Sequence, residues 1–107
     1  MKEIKSIKDF NKLIKQDKPV LVDFYAEWCG PCQSLMPTME RLADKHSENV
    51  EIVKVNIDKN RELASQLNIR SIPALFFIKD RVIKDKLLGM QSEATLNAKI
   101  LTLSQAS

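Results

Sequence analysis

The six residues Val20-Leu21-Val22-Asp23-Phe24-Tyr25 constrain this chain more than any other segment. Apart from Asp23 the run is aliphatic or aromatic throughout, with no alternation that would give it a solvent face. A strand of that kind is stable inside a sheet covered on both sides. The flanking sequence supplies helices for the cover. Ser6 can cap a helix reaching to about Gln16, whose Ile7, Phe10, Leu13 and Ile14 recur at three- and four-residue spacing. Asp17-Lys18-Pro19 ends it. From Pro31 to about His46, Leu35, Met39, Leu42 and Ala43 repeat the helical spacing, with Pro31 in the first turn, where its missing N–H costs little. Pro37 lies inside this second helix and predicts a kink, because its ring removes one backbone bond and crowds the preceding turn.

Beyond the second helix, Val50 to Asn56 places Val50, Ile52, Val53 and Val55 beside Glu51 and Lys54, and reads as a second buried strand. Asp58 or Asn60 can start a short helix that ends near Leu67. Ile72-Pro73-Ala74 leads into a strand over Leu75-Phe76-Phe77-Ile78, and Val82 to Leu88 makes another. The link Lys79-Asp80-Arg81 predicts a hairpin, although it lacks the glycine that tight hairpin turns favour. Ser92 can cap a last helix carrying Leu96, Ile100, Leu101 and Leu103. Strand and helix alternate, then a hairpin and a helix follow. That order predicts an α/β domain with its first strands parallel and helices on both faces of the sheet.

At 107 residues the chain fits one domain, expected to span positions 1 to 107. Its hydrophobic fraction of 44% and charged fraction of 29% are those of an ordinary globular protein. A formal charge of +3 with both signs spread along the chain is too weak and scattered for nucleic-acid binding. No stretch approaches the roughly 18 apolar residues of a membrane span. The start, MKEIKSIKDF, carries charges where a signal peptide has an apolar core, so the chain as given reads as cytoplasmic.

Only two cysteines occur, Cys29 and Cys32, at the junction between the apolar strand and the second helix. Zinc usually takes four ligands, and the remaining candidate of the usual kind is the lone His46, so a metal site fails on ligand count. A structural disulfide gains most by closing a long loop, and this pair closes almost none. A redox pair fits the position better. Cys29 occupies the start of the helix, where unpaired N–H groups and the positive end of the dipole favour a thiolate. Cys32, one turn further in, points into protein and keeps its proton longer. Met36 and Met39 read as helix packing, and His46 as a partner of the helix dipole.

The string Val22-Asp23-Phe24-Tyr25-Ala26-Glu27-Trp28-Cys29-Gly30-Pro31-Cys32 closely resembles the active-site stretch of the thioredoxin family. The resemblance extends to Lys54-Val55-Asn56-Ile57-Asp58, Arg70-Ser71-Ile72-Pro73-Ala74 and Gly89. It implies a three-layer α/β/α fold with a mixed sheet of about five strands flanked by four helices. It also implies protein-disulfide reduction, with Cys29 as nucleophile, Cys32 as resolving thiol and Asp23 moving protons to or from Cys32. Burial raises the pKa of such a carboxyl, and an Asp solvated at a strand edge is the competing reading. Lys54 matches the lysine that lies near this acid, and its charge opposes the rise. Pro73 matches the family's cis-proline, with a strand-opening proline as the plainer alternative. Trp28, Gly30, Pro31, Ile72, Gly89 and Met90 match an uncharged rim that admits protein substrates.

By the same resemblance the chain is a monomer that binds no cofactor, its redox centre being a reversible Cys29–Cys32 disulfide. A flavin-dependent thioredoxin reductase drawing on NADPH would return it to the dithiol. Two departures stand out: Asp80-Arg81 where many members have Asn-Gly, and Met90-Gln91 after Gly89 where small or apolar residues are common. A thiol oxidant or isomerase of an oxidising compartment, and a binding subunit with an incidental dithiol, are the competing functions, the first because direction follows reduction potential.

Overall fold

Side-chain alternation along the strands divides the core into two layers, and the sheet between them carries everything else. The computed structural model describes residues 1–105. Its elements in chain order are β1 (Lys2–Glu3), α1 (Ile7–Ile14), β2 (Val20–Tyr25), α2 (Gly30–Lys45), β3 (Glu51–Asn56), α3 (Arg61–Gln66), β4 (Ala74–Lys79), β5 (Val82–Leu88) and α4 (Glu93–Gln105). The strands form one sheet in the order β1-β3-β2-β4-β5. β3 runs parallel to β1 and β2, whereas β4 is antiparallel to β2 and β5 antiparallel to β4. All six residues of β2 are buried, as expected of the central strand.

Val20, Val22 and Phe24 face one way, packing with Val53, Val55, Phe76 and Ile78 against Phe10 and Leu13 of α1 and Leu63 of α3. Leu21 faces the other way, with Ile52, Leu75 and Phe77, against Leu35, Met39 and Leu42 of α2 and Leu96, Ile100 and Leu103 of α4. This is the thioredoxin fold the sequence implied. Ser6 caps α1 by accepting the Asp9 N–H at 3.1 Å, and Ser92 accepts the Thr95 N–H at 3.1 Å at the start of α4. Both caps match the expectation from sequence. Leu101 does not join the core; it is 42% exposed on the outer side of α4.

Three further details differ from a reading by pattern alone. β1 is only two residues long and has no periodicity to detect. Asn60 precedes α3, yet its side chain caps nothing there and donates instead to the Asn56 carbonyl at 2.9 Å. His46, beyond its place at the α2 terminus, is buried and joins its Nε2 to Asn97 Oδ1 of α4 at 2.8 Å.

Lys79 pairs with Val82, so Asp80 and Arg81 alone make the hairpin turn. Their φ angles of 55° and 64° are both positive, as a type I′ turn requires, even though neither residue is glycine. A register shift after Phe77 leaves Lys84 without a partner across the ladder. The departure at Asp80-Arg81 therefore keeps a two-residue hairpin. Among the described residues no helix is long and apolar enough to cross a membrane.

Candidate active site

β2 ends at Tyr25 and the chain reaches α2 within a few residues, which puts Cys29 at the cap position of that helix. Its φ of −90° and ψ of 107° are extended, so its side chain turns back over the first helical turn. The Cys29 sulfur accepts the Cys32 N–H at 3.2 Å, and the Cys29 carbonyl accepts the Gln33 N–H at 3.1 Å. Pro31, between them, has no N–H to offer. A disulfide joins Cys29 to Cys32, with the Cα atoms 5.3 Å apart. Cys29 retains 5% exposure and Cys32 none, so of the two residues only Cys29 reaches solvent. Tyr25, Ala26, Met36, Ile57 and Ile72 pack around the pair.

Asp23 is fully buried, and neither of its carboxylate oxygens has a hydrogen-bond partner. Its neighbours Val22 and Phe24 point into the α1 side of the core, so Asp23 lies on the α2 side, between Leu21 of the main core there and Tyr25 of the cysteine cluster. Loss of solvation pushes its pKa from 3.8 up to about 7, against the opposing pull of the Lys54 ammonium. Burial wins that contest. Lys54 sits directly beside Asp23 in the parallel ladder, but its Nζ stands 5.6 Å from the centre of the Tyr25 ring.

On the other side of the disulfide, the Ile72 carbonyl oxygen lies 3.9 Å from the Cys29 sulfur. The Ile72–Pro73 peptide bond is cis, and Pro73 itself is buried. Gly89 donates its N–H to the Pro73 carbonyl at 2.8 Å, tying the end of β5 to this segment. At φ 81° Gly89 is in the left-handed region that glycine enters without strain. Trp28, Gly30, Pro31 and Met90 are exposed, while Ile72 and Gly89 are half-buried. The structure thus brings Cys29, Cys32, Ile72, Pro73 and Gly89 together beyond the end of β2 and at the start of β4, with Asp23 and Lys54 side by side within β2 and β3.

Asp58 was not among the site residues named from sequence, and it belongs with them. Its Oδ2 accepts the indole N–H of Trp28 at 2.7 Å, holding a ring that is 70% exposed. Asn56, at the end of β3, organises the loop behind it by accepting the N–H of Asp58 at 2.9 Å and of Lys59 at 3.3 Å on its Oδ1. An exposed loop carboxylate carries no periodic signal; only the Asn-x-Asp spacing after a strand hints at a turn of this kind. A cavity of about 520 Å³ between β5 and α4, lined in part by Phe77, Lys84, Asp85 and Lys99, is bordered by no cysteine.

The family model described as thioredoxin matches residues 2–102. A thioredoxin of Alicyclobacillus acidocaldarius is 41% identical over 97 residues, covering 91% of this chain and 92% of its own length. Thioredoxin 1 of Synechococcus elongatus is 44% identical over 85 residues, covering 79% of each. Among solved structures, a mutant thioredoxin from Halobacterium salinarum superposes with a TM-score of 0.91 at 30% identity, covering 99% of this chain and 92% of that one.

Proposed function

This chain belongs to the thioredoxin family and is a thiol–disulfide oxidoreductase with a Cys29–Cys32 redox centre, and from that premise we propose that it works as a general protein-disulfide reductase. The observation that carries the reading is the asymmetry of the two sulfurs. Cys29 borders solvent and accepts a helix N-terminal N–H, whereas Cys32 is sealed from solvent.

In the reduced protein the Cys29 thiolate attacks one sulfur of a substrate disulfide. The new bond forms as the substrate S–S bond breaks, and the first substrate sulfur leaves as a thiolate. Cys32 then passes its proton towards the Asp23 carboxylate and attacks the Cys29 sulfur, expelling the second substrate thiolate. Two electrons have moved from the dithiol to the substrate, and Cys29 and Cys32 are left as a disulfide. A carboxyl with its pKa near 7 takes and returns a proton at neutral pH with little bias either way. Lys54 modulates that affinity by its charge.

Extended substrate segments bind across Trp28, Gly30, Pro31, Ile72, Pro73, Gly89 and Met90, with main-chain bonding near Ile72 in the manner of an added strand. The protein works as a single-domain monomer of the cytoplasm. A flavin-dependent thioredoxin reductase returns it to the dithiol with electrons from NADPH, and no cofactor is held by this chain. The test is an NADPH-coupled reduction of a protein disulfide in the presence of a bacterial-type thioredoxin reductase. Turnover is expected. A folded protein that gives none, yet oxidises reduced substrate thiols when mixed with them as the disulfide, would transfer the assignment to a thiol oxidant.

A further inference from the structure

Asp23 does not face Lys54 alone. In the sheet, Lys54 of β3 is in register with Asp23 of β2 on one side and with Glu3 of β1 on the other. Ile4, Val22, Phe24, Val53 and Val55 all point to the α1 side of the sheet. The three charged residues between them therefore share the α2 side, in a row two strand spacings wide, roughly 10 Å from Glu3 to Asp23 at the backbone. Lys54 is the only cation in the row, with a carboxylate at each end.

The Lys54 ammonium bonds to neither Asp23 oxygen, and stands instead over Tyr25. Glu3 acts on that same tyrosine: after burial, its negative charge is the next cause that pushes the Tyr25 hydroxyl up to about 12. Tyr25 thus stays a neutral phenol beside Glu3, with Lys54 over its ring. We propose that Glu3 is a positioning residue for the disulfide exchange, its charge drawing the Lys54 ammonium towards the β1 and Tyr25 side, without a direct ion pair, and so keeping it from neutralising the buried Asp23 carboxylate. This rests on the proton-transfer reading of Asp23 given above.

The other charged groups of this region do not substitute for Glu3. Glu27 and Lys59 are exposed and pair with each other at 4.0 Å. β4 places Leu75 opposite Asp23. The buried face of α2 brings Cys32, Leu35, Met39 and Leu42, none of them charged, and the α2 carboxylate Glu40 is paired with the Met1 ammonium at 3.2 Å. The two cysteines are themselves titratable when reduced, which is why the test begins with the disulfide form.

The experiment follows the Asp23 carboxyl carbon by NMR titration in the oxidised protein, for wild type, Glu3→Gln, Glu3→Asp, Lys54→Met and the Glu3→Gln/Lys54→Met pair. Glu3→Gln is expected to lower the Asp23 midpoint by about half a pH unit, since a Lys54 ammonium no longer drawn towards Glu3 comes closer to the Asp23 carboxylate and favours its charged form. Glu3→Asp, which keeps the charge, should lie closer to wild type than Glu3→Gln does. In the Lys54→Met background the effect of Glu3→Gln should shrink by half or more. An Asp23 midpoint unmoved by Glu3→Gln overturns the proposal, and so does an undiminished effect without Lys54. The pH dependence of mixed-disulfide resolution is read separately. If the NMR midpoint moves and that profile does not, Glu3 keeps its place and the proton-transfer role of Asp23 falls.

Discussion

The Cys29 sulfur accepts the backbone N–H of Cys32 at 3.2 Å, so the residue that closes the disulfide also supplies, from its main chain, the donor that stabilises the first sulfur as an anion. That contact follows from the cap geometry of α2 and does not require the S–S bond. A thiolate at the same cap position would accept the same N–H, and a charge-assisted bond is stronger than a neutral one.

Pro31 limits this stabilisation by withholding the N–H next to it. Pro31→Ala restores a donor at the second position of the helix, one of the two positions that bond to a cap side chain. The extra donor favours the thiolate and hence the reduced protein. The variant should be more oxidising than wild type, by roughly tenfold in its equilibrium with glutathione, or about 30 mV. Redox titration of the two proteins side by side checks this.

The raised pKa of Asp23 makes the stability of the protein depend on pH. With its pKa raised from 3.8 to about 7, the folded protein binds more protons than the unfolded chain between those values. Stability of the oxidised protein therefore falls as pH rises through that window, by on the order of 4 kcal/mol in all, and levels off above it. Asp23→Asn removes the titration. The variant should be the more stable of the two at pH 8, the advantage shrinking towards pH 4, while its mixed disulfides resolve more slowly near neutrality. Urea unfolding at the two pH values, with a stopped-flow measurement of resolution, separates the effects.

Arg81 occupies the left-handed region at φ 64°, where a side chain costs of order 1 kcal/mol and glycine nothing. Arg81→Gly should raise stability by about 0.5 kcal/mol, part of the relief being offset by the greater freedom of glycine in the unfolded chain. Activity should not change, because the turn lies at the far end of β4 from Pro73. Denaturant midpoints and the disulfide-reduction rate report the two halves of this expectation.

The residues that were legible in the sequence are those whose signal is local. β2 declares itself by six buried residues in a row, α1 and α4 by a serine cap and a spaced apolar face, and the dithiol by its place between strand and helix. Glu3 and Asp58 were not legible, for a shared reason. Each acts through a partner more than 20 positions away, Lys54 and Trp28 respectively, and each sits in a segment too short or too exposed to carry a period. The outcome of the contest over Asp23 was likewise closed to the sequence, since burial and the Lys54 charge pull in opposite directions and only geometry ranks them. His46 looked like a dipole partner because its bond to Asn97 joins two helices that are far apart in the chain.

The asymmetry of the two thiols is tested most directly by alkylating the fully reduced protein across pH 5 to 10 and locating the label by mass spectrometry. Cys29 should be labelled first at every pH, with a midpoint below that of an ordinary thiol, and Cys32 should resist until well above it. Equal rates and a common midpoint at the two positions would contradict the account.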